Sequence, residues 1–304
     1  MAGALSSITR CNPISHLAFS TSNPKHQLLS RRFTALAMSR SDHSYWSSVH
    51  SEIDTHLEQA IPIKPPLVVY EPMHHLAFDA PQTSAPALCI AACELVGGHR
   101  DQAMAAASAL RLMHASAFIH KNLPLTHRPG TRLTFDRTFG PNIELLTADG
   151  MIPFGLELLA RSDDPDQNNS DRVLQAIVEI SHAMGSQGVM EGLYNELEHD
   201  KSDGEEGFPV WWLHNVCRKK EGTLHACAGA CGAILGGGSE EEIEKLRSYG
   251  LYVGMVQGIF NRFGGNACAW KEVKELRDLA LKELKDFDQA KVITISRLVE
   301  TKVL

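Results

Sequence analysis

The stretch RDQAMAAASALRLMHASAFIH, residues 100 to 120, constrains the fold more than any other. Its alanines, leucines and methionines are strong helix formers, and the Gly97-Gly98 pair breaks the chain just before it. Small and apolar residues leave this helix without a polar face, so other helices have to cover it nearly all round. Past residue 40 the apolar residues keep recurring at three and four, and alternating Val/Ile/Thr runs are few. The reading is all-α, about ten helices in one domain over residues 41–304, with no fixed-period repeat.

Local signals sharpen some boundaries. In SEEEIEKLRSYGLYVGMVQGIF (239–260) Ser239 caps a helix, Glu242 completes a capping box, and acids fill the first turn, where the helix dipole favours them. RSDDPDQNNS (161–170) and EHDKSDGEEG (198–207) read as surface loops, so Asp163, Asp164 and Asp166 belong to a solvated turn rather than a site. No run approaches the roughly 18 apolar residues a bilayer requires, so membrane contact would be peripheral.

Residues 1–40 stand apart. They hold Arg10, Lys25, Arg31, Arg32 and Arg40, seven serines, three threonines and no Asp or Glu, the make-up of an organelle transit peptide. The Ser/Thr richness and the lack of an Arg-studded amphipathic helix point to the plastid. Removing five of the 29 basic residues against 36 acidic ones takes the net charge from −7 to about −12, which argues against a nucleic-acid partner.

Seven cysteines form no disulfide framework. CIAAC (Cys89, Cys93) and CAGAC (Cys227, Cys231) each place two thiols four apart, on one face of a helix. Spacing alone leaves four readings open: small core residues, a four-thiolate zinc site, a redox pair, or a subunit interface.

APALCIAACELVGG (85–98) and CGAILGGGSEEEIEKLR (231–247) resemble the plant trans-prenyltransferases, the geranylgeranyl diphosphate synthases. The similarity runs from about residue 45 to 288. It implies an isoprenoid-synthase-type helical bundle around a central cavity. Active members join isopentenyl diphosphate to an allylic diphosphate, and two aspartate-rich motifs hold the Mg²⁺ that neutralises the departing diphosphate.

Here those motifs are empty. Ile119-His120 precedes the first and Leu123-Pro124 lies within it, but its aspartate positions hold Lys121, Asn122 and His127. The second falls on Asn261, Arg262 and Gly265. Where the family has a Gly-Gly-Lys-Arg-x-Arg segment for diphosphate, the chain reads APQTSA, with Gln82, Thr83 and Ala85 in place of cations. The family's Lys-Thr pair is Lys220-Glu221 and its Gly-Gln pair is Gly192-Leu193. Lys121 and Arg262 supply two positive charges, against roughly six from three Mg²⁺ ions.

Chains with this fold, two C-x3-C motifs and no aspartate-rich motif are similar to the small subunits of heteromeric plant prenyl diphosphate synthases. NLPLT, GPNIELLTADG and KKEGTLHAC match them as well. The resemblance implies a plastid protein, in the stroma or at the thylakoid, inactive by itself and without a cofactor of its own. Mg²⁺ would sit on its partner, a geranylgeranyl diphosphate synthase large subunit. The partner's activity would be enhanced, or its product shifted to geranyl diphosphate. Cys89, Cys93, Cys227 and Cys231 would belong to partner-binding motifs. An enzyme with altered substrate or metal use is the alternative.

Overall fold

A computed structural model describes residues 10–11, 40–123, 138–199, 208–263 and 267–300. Its α-helices are α1 (Arg40–Ala60), α2 (Leu67–Asp79), α3 (Ala85–Leu95), α4 (Arg100–Asn122), α5 (Pro141–Ala160) and α6 (Ser170–Met184). They continue with α7 (Val189–His199), α8 (Val210–Cys217), α9 (Thr223–Gly236), α10 (Glu240–Phe263), α11 (Ala267–Glu283) and α12 (Gln289–Glu300). The all-α expectation holds, with twelve helices among the described residues rather than about ten. One antiparallel ladder pairs Arg10–Cys11 with Phe208–Pro209, two residues a side and too short to show a period. Apart from Arg10, Cys11 and Arg40, the expected leader lies outside the described residues.

Helix α4 is the buried helix its composition demands. Ala106, Ala109, Leu110, Leu112 and Met113 are fully enclosed by neighbours that include α1, α2, α3, α5 and α9. Each large side chain buried in this way stabilises the fold by about 2 kcal/mol. Helix α9, in which Gly, Ala and Cys make up nine of 14 residues, lies between α3 and α10. A Cβ on Gly232 would stand 2.1 Å from the Cys89 carbonyl oxygen, so only glycine lets the α3 and α9 backbones touch there. A second, smaller apolar cluster joins Trp212 and Val216 of α8 to Ile259 of α10 and Leu276 of α11.

The expected capping box is present. The Ser239 N–H donates to Glu242 Oε2 at 2.8 Å, and the Glu242 N–H donates to Ser239 Oγ at 3.3 Å. Between α8 and α9 the chain makes a π turn, Arg218–Gly222, rather than a continuous α-helix. A Cβ on Gly254 of α10 would stand 2.2 Å from the Glu221 carbonyl oxygen, so this glycine lets α10 press against the π turn. Widened turns of this kind frequently mark functional positions, and this one carries Lys220 and Glu221. No described helix is long and apolar enough to cross a membrane.

Candidate functional site

Segments far apart in the sequence meet at one cavity of about 200 Å³. Gln82 and Thr83 line it from the turn before α3, and His114, Phe118 and Lys121 from α4. Leu193 comes from α7, Lys220 and Glu221 from the π turn, His225 from α9, and Gln257 and Asn261 from α10. Of the positions singled out in the sequence, Gln82, Thr83, Lys121, Leu193, Lys220, Glu221 and Asn261 thus share one space, while Ala85, Asn122 and Arg262 do not line it. His127 and Gly265 lie outside the described residues.

At the cavity, cations and carboxylates pair with one another. Lys121 Nζ lies 2.9 Å from Glu196 Oε1, and Lys220 Nζ lies 2.5 Å from Glu196 Oε2. Arg262 Nη2 donates to Glu196 Oε1 at 3.2 Å and to Glu221 Oε1 at 3.1 Å. One buried carboxylate of α7 is therefore the hub for cations from α4, the π turn and α10. Burial pushes the Glu196 carboxyl up, but Lys220, Lys121 and Arg262 outweigh it and bring it down to about 2. Lys220 also moves down, because burial outweighs Glu221 and Glu196 there. The two shifts pull the pair in opposite directions. The short Lys220–Glu196 contact and the two further cations on the carboxylate favour the charged pair.

A neutral relay borders this network. Gln257 Nε2 donates to Ser84 Oγ at 2.6 Å, and Ser84 Oγ lies 3.0 Å from His225 Nε2. His225 Nδ1 lies 2.7 Å from the Glu221 carbonyl, which makes Nδ1 the donor and Nε2 the acceptor. Burial lowers the His225 pKa, and burial first, then Arg111 and His225, takes that of His114 down to about 4. Both rings are neutral at pH 7. His120, on another face of α4 as its spacing requires, lies 2.9 Å from Asp149.

These residues do not fit Mg²⁺. The ion takes hard oxygen ligands, chiefly carboxylates, and the two carboxylates here are already paired with three cations that would repel it. Asn122 is turned back on its own helix, its side-chain amide donating to the Phe118 carbonyl at 2.7 Å. Among the described residues no group of three or more His, Cys, Asp or Glu side chains is placed to hold a metal ion. Asp163 and Asp164 serve their own turn, Asp163 accepting from Ser170 and Asp164 accepting from the Asp166 backbone.

The paired thiols lie inside the chain. Cys89, Cys93 and Cys231 have no exposed surface, and Cys227 is 3% exposed. Cys227 Sγ is 3.8 Å from Cys231 Sγ, and Cys93 Sγ–H donates to the His99 carbonyl. Burial raises the Cys89 thiol well above its ordinary range and Cys93 to about 12, while the hydrogen bond to Cys227, followed by burial, raises Cys231. Zinc binding and redox exchange both require thiolates, and this setting suppresses them.

Sequence reasoning found the cation positions but missed Glu196, their common partner. It lies 75 residues from Lys121, in a stretch, YNELEH, that reads as an ordinary polar helix end. The Ser84–His225–Gln257 relay was equally invisible, since its members are separated by 141 and 173 residues.

No family model matches the chain. A heterodimeric geranylgeranyl pyrophosphate synthase small subunit 2, chloroplastic, from Cannabis sativa is 49% identical over 284 residues, 92% of this chain and 99% of that one. The crystal structure of the geranyl diphosphate synthase small subunit from Antirrhinum majus is similar at 52% identity and TM-score 0.79, covering 87% of this chain and 100% of that one. A chain of the mint heterotetrameric geranyl pyrophosphate synthase, a deletion mutant with ligands, is similar at 44% identity and TM-score 0.74, covering 84% and 98%. The chain belongs to the trans-prenyltransferase family, among the small subunits of the plant heteromeric geranylgeranyl and geranyl diphosphate synthases.

Proposed function

We propose that this chain is a regulatory subunit that makes no prenyl diphosphate itself and binds a catalytic large subunit in the plastid to enhance or redirect its output. The observation that carries this is the centre itself. Lys121 and Arg262 occupy aspartate positions and are tied to Glu196, and Asn122 and Asn261 occupy two more. Without metal ligands the centre cannot neutralise a departing diphosphate. The Mg²⁺ of the assembly would sit on the partner.

The plastid and the large-subunit partner rest on the small-subunit kinship, whose chloroplastic members are named heterodimeric. The surface proposed for that partner includes Leu146 on α5 and Leu174 and Val178 on α6, each more than half exposed, the last two four residues apart on one helix face. Being buried, the four cysteines would act on that partner through the α3–α9 packing, not by contact. Cys89→Ser and Cys231→Ser are then expected to weaken co-purification only as far as they lower the melting temperature. Weakened binding at unchanged stability would instead mean direct contact.

The decisive experiment compares this chain, a plastid geranylgeranyl diphosphate synthase, and the two co-purified, each with Mg²⁺, labelled isopentenyl diphosphate and allylic acceptors. The expected result is no turnover by the chain alone and a changed rate or product length in the complex. Turnover by the chain alone would defeat the proposal. A second reading, that the complex is turned toward geranyl diphosphate, is favoured by the two geranyl diphosphate synthase structures among the relatives. Product length decides between them. Recruitment of the partner to thylakoids is tested by fractionating membranes with and without this chain.

A further inference from the structure

We infer that Glu196 is a built-in substitute for a bound anion, occupying three convergent cations and so keeping diphosphates off this chain. The cations come from three separate elements: Lys121 from the end of α4, Lys220 from the π turn and Arg262 from the end of α10. All three reach one carboxylate between 2.5 and 3.2 Å, and that residue is 8% exposed. Two lysines and an arginine around a single point form the kind of clamp that holds a phosphate group, with charge-assisted hydrogen bonds on several sides.

The charge count shows what Glu196 does. With it, three cations face Glu196 and Glu221. Without it, the acid they face among the described residues is Glu221, which of the three Arg262 contacts. The cluster would then seek an anion from solution, and the cavity offers a route, because Lys121 and Lys220 line it and the Lys121 side chain is 39% exposed. A tethered carboxylate has an effective concentration that a free ligand must exceed, so it competes well with a dilute diphosphate. For a regulatory subunit the consequence is selective: the chain would not sequester the diphosphates its partner consumes and releases. That consequence rests on the regulatory reading, whereas the masking by Glu196 does not.

The test is calorimetric titration of the full chain with inorganic pyrophosphate, with and without Mg²⁺. The unmodified chain is expected to give no measurable binding in either condition. Glu196→Gln is expected to bind pyrophosphate at least about tenfold tighter than the unmodified chain, without needing Mg²⁺. Adding Lys121→Gln to that variant is expected to remove most of the gain. Equal binding by the unmodified chain, a folded Glu196→Gln that gains nothing, or a gain indifferent to Lys121 would each overturn the inference. If Glu196→Gln does not fold, Glu196→Asp withdraws the carboxylate by one methylene, and an unchanged affinity in that folded variant is equally fatal. Turnover by the unmodified chain in the activity assay would defeat the regulatory reading and leave this titration to decide separately.

Discussion

The contact between α3 and α9 and the centre at the ends of α4, α7 and α10 solve opposite problems. The first is uncharged and brings backbone against backbone, with Gly232 beside the Cys89 carbonyl and buried thiols filling the remaining space. The second is held by charge, with three cations on one carboxylate. The first cannot change without moving helices, because its partners are main-chain atoms. The second is made of side chains near the ends of helices whose bodies are packed elsewhere. Helix packing and the charged centre are therefore separable in this fold: side chains at such a centre can differ and the shape be kept if they satisfy one another.

The sharpest way to break that comparison is Gly232→Ala. The added methyl would meet the Cys89 carbonyl oxygen at 2.1 Å and the Ala92 Cβ at 2.8 Å, and neither is the end of a flexible side chain. Separating α3 from α9 is expected to cost more than about 3 kcal/mol, read as a lowered melting temperature and weakened co-purification with the large subunit. A neutral outcome would mean that this contact is no more rigid than the charged centre.

Glu196→Gln comes next, at about 3 kcal/mol, because it leaves buried cations without their shared anion. The pH dependence identifies the cause. The carboxyl is lowered from 4.5 to about 2, so its stabilisation is complete above pH 4.5 and is lost as pH falls toward 2. The stability difference between the unmodified chain and Glu196→Gln should therefore be constant near neutrality and shrink across that acid window. A difference that does not change with pH would assign the loss to packing.

How much of this was legible in the sequence follows from the same comparison. The helical period, the buried character of residues 100–120 and the capping box at Ser239 are local patterns, and the structure reproduces them. Lys121 and Arg262 were legible as cations at positions where the family resemblance implies carboxylates. Their common partner was not, since pairing Lys121 with Glu196 requires knowing how α4 and α7 cross. The cysteine spacing left both core and interface open because a thiol on a helix face looks the same in either place. Only the packing of α3 on α9 puts these thiols in the core.

The smallest expected effect is also the one that tests whether the charged centre behaves as a unit. Lys121 is its most exposed arm, with a side chain 39% exposed against 10% for Lys220 and 18% for Arg262. Water already solvates part of that ammonium, and salt screens its attraction to Glu196. Lys121→Gln is therefore expected to cost less than about 1 kcal/mol, since Lys220 and Arg262 still neutralise Glu196. A double-mutant cycle with Glu196→Gln, read by thermal unfolding at low and high salt, isolates the Lys121–Glu196 coupling. A coupling that is small and fades with salt leaves the centre as two buried pairs with a solvated arm. A coupling as large as the whole Glu196→Gln loss would mean that the three cations act as one network, as rigid in its own way as the α3–α9 contact.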